Sequence, residues 1–156
     1  MEYQSHSLEF LLPESLPEGF GESLVCFGES GTGLWWLKLL KKGFRHCFVA
    51  LNDGHRWIIV DTLLHRTHVS VPPLDNGFDL ASCLREKGYT VIACDVKEPP
   101  LKMAPISFFT CVEGAKRILG VHNIMIVTPW QLYKLLVKEK NLSKLKKTID
   151  TSHMIR

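Results

Sequence analysis

The chain has no apolar run approaching the roughly 20 residues that a membrane-spanning helix requires, so no transmembrane segment is expected. Its first thirty residues hold six glutamates and no basic stretch followed by an apolar one, which predicts no secretory signal. Its five cysteines, at positions 26, 47, 83, 94 and 111, form no C-x-x-C pair, and their odd number leaves at least one thiol unpaired in any disulfide scheme. A reducing, cytoplasmic setting is the expectation. Neither G-x-S-x-G, the P-loop pattern nor G-x-G-x-x-G occurs, which removes the serine-hydrolase elbow and the common nucleotide cradles from the expected functions. Charge of one sign is also scarce, with nineteen Lys and Arg against sixteen Asp and Glu. The small surplus gathers at Lys134, Lys138, Lys140, Lys144, Lys146 and Lys147. That run reads as a solvated helix face and a frayed basic tail over residues 140–156, without a strong nucleic-acid signal.

What is present is the composition of one globular domain: 156 residues, 46% apolar and 22% charged. Glycines and prolines through residue 33 predict an irregular arm with one strand near Leu24 to Phe27. Leu34 to Lys42 reads as a short helix closed by Gly43, with Trp35 and Trp36 as core or cover. Phe44 to Leu51 and Arg56 to Thr62 are strand-like runs around a turn, a β-hairpin, and a third strand is expected near Thr67 to Val71. Asp79 to Lys87 should be a helix ended by Gly88, and Tyr89 to Val96 a strand, followed by a proline-broken linker, Pro99 to Pro105. Thr110 with Glu113, and Thr128 with Gln131, are capping boxes that announce two further helices, the first ending at Gly120. A strand is expected at His122 to Val127 and an amphipathic helix at Trp130 to Lys138. The fold class is α+β, a small antiparallel sheet built on the hairpin and packed against helices.

If Thr110 is the N-cap, Cys111 opens a helix, where free backbone N–H groups and the helix dipole stabilise a thiolate. Such a thiol needs a base. With Asp53 and Gly54 as the two loop residues, Asn52 faces His55, Ala50 faces Trp57 and His46 faces Asp61. Asp61 can then orient the imidazole of His46, whose other nitrogen is left for Cys111. Phe44, Phe48, Trp57 and Ile59 are expected on the same face as this pair. The register depends on the loop; a different loop would offer Asn52 or His65 as the third group. A buried, unreactive cysteine and a structural His–Asp pair are the plain alternatives. Zinc on His65 and His68 with Cys47 is disfavoured, because residues three apart on a strand point to opposite faces, so neither a metal nor another cofactor is expected.

The segments R-H-C-F-V-A-L-N-D-G-H-R-W-I-I-V-D, residues 45–61, and T-C-V-E-G-A-K-R-I-L-G, residues 110–120, follow an order that resembles circularly permuted papain-like folds. These are the relatives of NlpC-type peptidases and of lecithin retinol acyltransferase-like proteins, in which the strand His precedes the helix Cys. The resemblance implies a thiol hydrolase or acyltransferase with Cys111 as nucleophile, His46 as general base and acid, and Asp61 orienting His46. Its substrate would carry an amide or ester bond, peptide or peptidoglycan-like. An extra helix and strand, Asp79 to Val96, stand between hairpin and Cys111. The whole chain is also similar to small alphaproteobacterial and phage proteins, which share a hairpin His and the ending T-P-W-Q-L-Y, here Thr128 to Tyr133; that similarity implies no activity but admits association with a virion. A non-catalytic domain of the same fold, acting as a structural or interaction protein, and a nucleic-acid or other binding module remain as alternatives. The oligomeric state is left open.

Overall fold

A computed structural model describes residues 22–29, 35–75, 77–97 and 109–153. The expected arm before residue 22 and the linker Pro99 to Pro105 lie outside the described residues. Five strands, β1 (Glu22–Gly28), β2 (His46–Asn52), β3 (Trp57–Thr62), β4 (Thr67–Ser70) and β5 (Thr90–Cys94), form one antiparallel sheet in the order β4-β3-β2-β1-β5. Among the described residues three α-helices accompany it: α1 (Leu80–Glu86), α2 (Cys111–Ile118) and α3 (Pro129–His153). The α+β class and the antiparallel sheet against helices are as expected.

The sheet is covered on both faces, and β1 shows why its sequence runs continuously apolar. Leu24 and Cys26 meet Ala50, Trp57 and Val91 beneath Leu80 and Leu84 of α1. Val25 and Phe27, one step out of phase, meet Cys47, Val49, Leu51 and Ile92 beneath α2 and α3. Val112, Ala115 and Leu119 of α2 and Leu132 and Leu136 of α3 complete that second core. β4, at the sheet's edge, is short and exposed.

The helix starts follow their caps. The Thr110 hydroxyl accepts the N–H of Glu113 at 3.3 Å, and Asp79 accepts that of Ser82 at 2.8 Å. Thr128 and Gln131 form the full reciprocal box, with Gln131 N–H on Thr128 Oγ1 at 3.3 Å and Thr128 N–H on Gln131 Oε1 at 3.0 Å. Gly88, at φ +88°, ends α1 as expected.

Four expectations are corrected. The helix at Leu34 to Lys42 is a 3₁₀ segment, Trp35–Leu39, and Trp35 is 74% exposed instead of forming core or cover. His122 to Val127 is no strand: the Asn123 side chain accepts the Met125 N–H at 2.9 Å, a local turn that competes with a ladder, and only Ile126 of the run is buried. The last helix extends from Pro129–His153, because nothing from Trp130 onward breaks it, so the basic segment begins as helix and not as tail. Phe44 lies on the α3 side, against Trp130 and Tyr133, opposite the face carrying Phe48, Trp57 and Ile59.

Candidate active site

The hairpin turn falls one residue later than Asp53-Gly54. Asp53 N–H closes on Arg56 C=O at 3.2 Å, leaving Gly54 and His55 as the loop, and Gly54 takes φ +89°. The Asp53 carboxylate fixes this choice by accepting the N–H groups of His55 and Arg56 at 2.8 and 2.7 Å. Asn52 therefore faces Trp57, and Val49 faces Val60. The expected direct opposition of His46 and Asp61 is lost, since each partner has slipped by two residues. A slip of two preserves the face where a slip of one would invert it, so the pair becomes diagonal neighbours. Their side chains span the diagonal: His46 Nε2 lies 2.7 Å from Asp61 Oδ1. The β2–β3 pairing ends at Val49–Val60, and the His–Asp bridge crosses between the strands beyond it.

α2 enters at the same place. Gly114 packs so closely on Thr62 that a Cβ there would sit 2.3 Å from Thr62 Oγ1. With no side chain at the crossing, the first turn of α2 descends onto β2 and β3, and the Cys111 thiol, one turn before Gly114, reaches two consecutive residues of β2. There the His46 imidazole and the thiol and backbone of Cys47 all act on its acidity. Because Nε2 of His46 is engaged by Asp61, Nδ1 is the nitrogen left for Cys111. Neither Asn52 nor His65 replaces Asp61: Asn52 Oδ1 accepts the N–H of Gly54 at 2.8 Å, and exposed His65 lies beyond the end of β3.

The electrostatics follow from this packing. The hydrogen bond from Cys47 lowers the pKa of Cys111 most, burial opposes it, and His46 adds to it, so the thiol is brought down to about 5. Burial by itself would lower the pKa of His46, but Asp61 and Cys111 outweigh it and raise it to about 9. Between these limits a thiolate faces an imidazolium. Cys47 shows the converse: its hydrogen bond to Cys111, with burial behind it, holds its own thiol protonated well above the ordinary range. The side chains of His46 and Asp61 are 17% and 30% exposed, enough for a small reagent to reach the pair and too little for full screening.

Two neighbours were not legible as parts of this site. Cys47 follows His46 directly, and consecutive strand residues point to opposite faces, a rule that hides their meeting at one thiol where the ladder opens. His68, weighed only as a metal ligand, stands directly opposite Asp61 on β4. All five cysteines are free thiols. Trp130 is half-buried, stacked on Tyr133 and covered by Lys41, so it is no open platform for bases. Among the described residues no helix is long and apolar enough to cross a membrane. Comparison with protein-family models, with curated proteins and with solved structures yields no match.

Proposed function

We propose that this chain is a thiol hydrolase or acyltransferase acting on an amide or ester bond, with Cys111 as nucleophile, His46 as general base and then acid, and Asp61 orienting His46. The observation that carries this reading is a His46 imidazole held 2.7 Å from the Asp61 carboxylate beside the head of α2, where Cys111 takes the first helical position and is made more acidic by that imidazole. The order of His strand, Asp strand and Cys helix resembles that of the permuted papain-like arrangement, and the antiparallel sheet packed on the Cys helix is compatible with it.

In this mechanism the thiolate attacks the carbonyl carbon and the oxygen becomes an oxyanion. The Glu113 N–H is spent on the Thr110 hydroxyl and that of Gly114 on the Thr110 carbonyl. The N–H groups of Cys111 and Val112, which have no partner within the helix, are the donors placed for that charge. One such donor contributes roughly 3 to 4 kcal/mol to a transition state. The imidazolium then delivers its proton to the leaving nitrogen or oxygen, forming the acyl-enzyme, and water or a second acceptor releases the acyl group. No cofactor enters this scheme. A peptide or peptidoglycan-like acyl donor is the substrate class that the resemblance implies.

The test is the pH dependence of Cys111 alkylation, followed by mass spectrometry in the wild type and in His46→Ala, with Cys83 and Cys94 as internal controls. Rapid alkylation persisting well below neutral pH in the wild type, and lost in the variant, is expected. An ordinary thiol profile for Cys111 in both proteins would overturn the reading and leave a non-catalytic domain of this fold.

A further inference from the structure

The 3₁₀ segment and the outer face of α3 take no part in the acyl chemistry, and both carry exposed apolar side chains between lysines. In the Trp35–Leu39 segment, buried Leu37 is the anchor, while Trp35 and Leu39, 74% and 81% exposed, stand out from it. With about three residues per turn, Lys38 falls in line with Trp35 on that outer side. Lys41 follows and lies 3.0 Å from the centre of the Trp130 ring, which joins this segment to the first turn of α3. Trp130 stacks on Tyr133, and from Tyr133 an open groove of about 440 Å³ runs along α3, past Lys134, Val137 and Lys138, to Leu142 and Leu145. Leu145 comes about two and a half turns after buried Leu136, so it faces away from the core. Lys38, Lys41, Lys42, Lys134 and Lys138 are all exposed. The carboxylates nearest to them along the chain are engaged elsewhere, Glu29 by Arg45 and Glu139 by Lys97.

We infer that this surface seats the chain peripherally on an anionic phospholipid bilayer, with Trp35 and Leu39 in the boundary between headgroups and acyl chains and the lysines over the lipid phosphates. The inference does not depend on the chemistry of Cys111. The exposed lysines repel a second copy of the same face and call for a negative partner. Aliphatic side chains gain little against phosphate and sugar, so Leu39, Leu142 and Leu145 favour lipid over nucleic acid. Trp35 and Leu39 protrude, and a fluid bilayer takes protruding side chains without the shape-matched pocket that a folded partner must supply. Tryptophan beside lysine also suits the interface itself, where the ring sits at headgroup level and the ammonium meets the lipid anion. The contact lies on the membrane surface: among the described residues no helix is long and apolar enough to cross.

The experiment mixes the intact chain with unilamellar vesicles, either phosphatidylcholine alone or equal parts of phosphatidylcholine and phosphatidylglycerol, and reads flotation on a density gradient at low and high salt. The wild type should float with the anionic vesicles at low salt, stay behind with phosphatidylcholine alone, and be largely released by high salt. Lys134→Gln with Lys138→Gln should weaken partition by about 25-fold, roughly fivefold for each lysine. Trp35→Ser with Leu39→Ser should weaken it by roughly tenfold or more. Both pairs lie on the surface and should keep the circular dichroism and the Cys111 alkylation rate of the wild type. No flotation of the wild type with anionic vesicles, or equal flotation with phosphatidylcholine alone, would overturn the inference, and neither outcome needs a variant. Flotation that folded variants of both pairs leave unchanged would overturn it as well, by moving the contact to another face. Capture of duplex DNA without flotation would assign the lysines to nucleic acid instead.

Discussion

The first two turns of α2 each bring ionisable groups against the sheet, and they use them in opposite ways. In the body of the helix, Glu113 and Lys116 are 5% and 4% exposed and joined at 2.7 Å. Lys116 Nζ also donates to the Ile126 carbonyl at 3.2 Å, and Arg117 holds the second carboxylate oxygen at 3.0 Å. Burial would raise the pKa of Glu113, but the two cations outweigh it and lower it. That cluster ties the helix to the turn before α3. At the head of the same helix, Cys111, His46 and Asp61 sit where the β2–β3 pairing has ended and the pair is partly open. The closed cluster has its charges assigned; the open one leaves a proton that can move between sulfur and nitrogen. Burial with full hydrogen-bonding stabilises, and partial burial with a shared proton prepares reactivity.

Substitution can separate these two roles. The largest effect is expected for Cys111→Ala, which should abolish turnover of an activated acyl substrate while leaving the chain folded. A loss of fold together with activity would make the two clusters equivalent. Next, Glu113→Leu strands Lys116 in the core and should cost roughly 3 to 5 kcal/mol in urea unfolding. Adding Lys116→Met should recover most of that loss, and Cys111 alkylation should change little in either variant. Gly114→Ala couples the two regions, because its Cβ collides with Thr62. It should cost roughly 1 to 3 kcal/mol and slow Cys111 alkylation by lifting the helix head; unaltered alkylation would mean that the close crossing does not position the thiol.

Smaller effects concern protons and caps. The Cys111 pKa is depressed to about 5, so its contribution to stability is fully present above the ordinary thiol value and lost as pH falls through about 5. The His46 pKa is raised to about 9, so its contribution is present below the ordinary imidazole value and lost as pH rises through about 9. Asp61→Asn keeps a hydrogen-bonding partner but removes the charge, and should move the alkaline limit to lower pH while leaving the fold intact. A pH profile identical to wild type would remove Asp61 from the site. Thr128→Ala, at the start of α3, should cost about 1 kcal/mol and leave Cys111 reactivity untouched, a control for general destabilisation.

Much of this arrangement was legible along the chain. Thr110 with Glu113 announces a capped helix, of which the Thr110 hydroxyl to Glu113 N–H half forms, and Thr128 with Gln131 announces α3 with both halves formed. The hairpin was legible as a hairpin, but its register was not. Asp53 can serve as a loop residue or as the acceptor that closes the loop, and the second choice moved every partner by two. His46 and Asp61 still met, because two residues is the repeat of a strand's faces. His122 to Val127 misled because an apolar run has strand character only if an edge is there to pair with, and Asn123 offered it a turn instead.

The sequence by itself determined what acts over a few residues: where helices begin, which runs alternate, and that Cys111 would stand at a helix's positive end. Only the tertiary structure decided what acts across them. It placed Cys47 beside Cys111, brought α2 down through Gly114, and ended the β2–β3 pairing where His46 could reach both Asp61 and the thiol. The physical reason is range: caps and turns are set by hydrogen bonds between near neighbours, whereas a pKa is set by whatever the packed chain brings within contact and out of water.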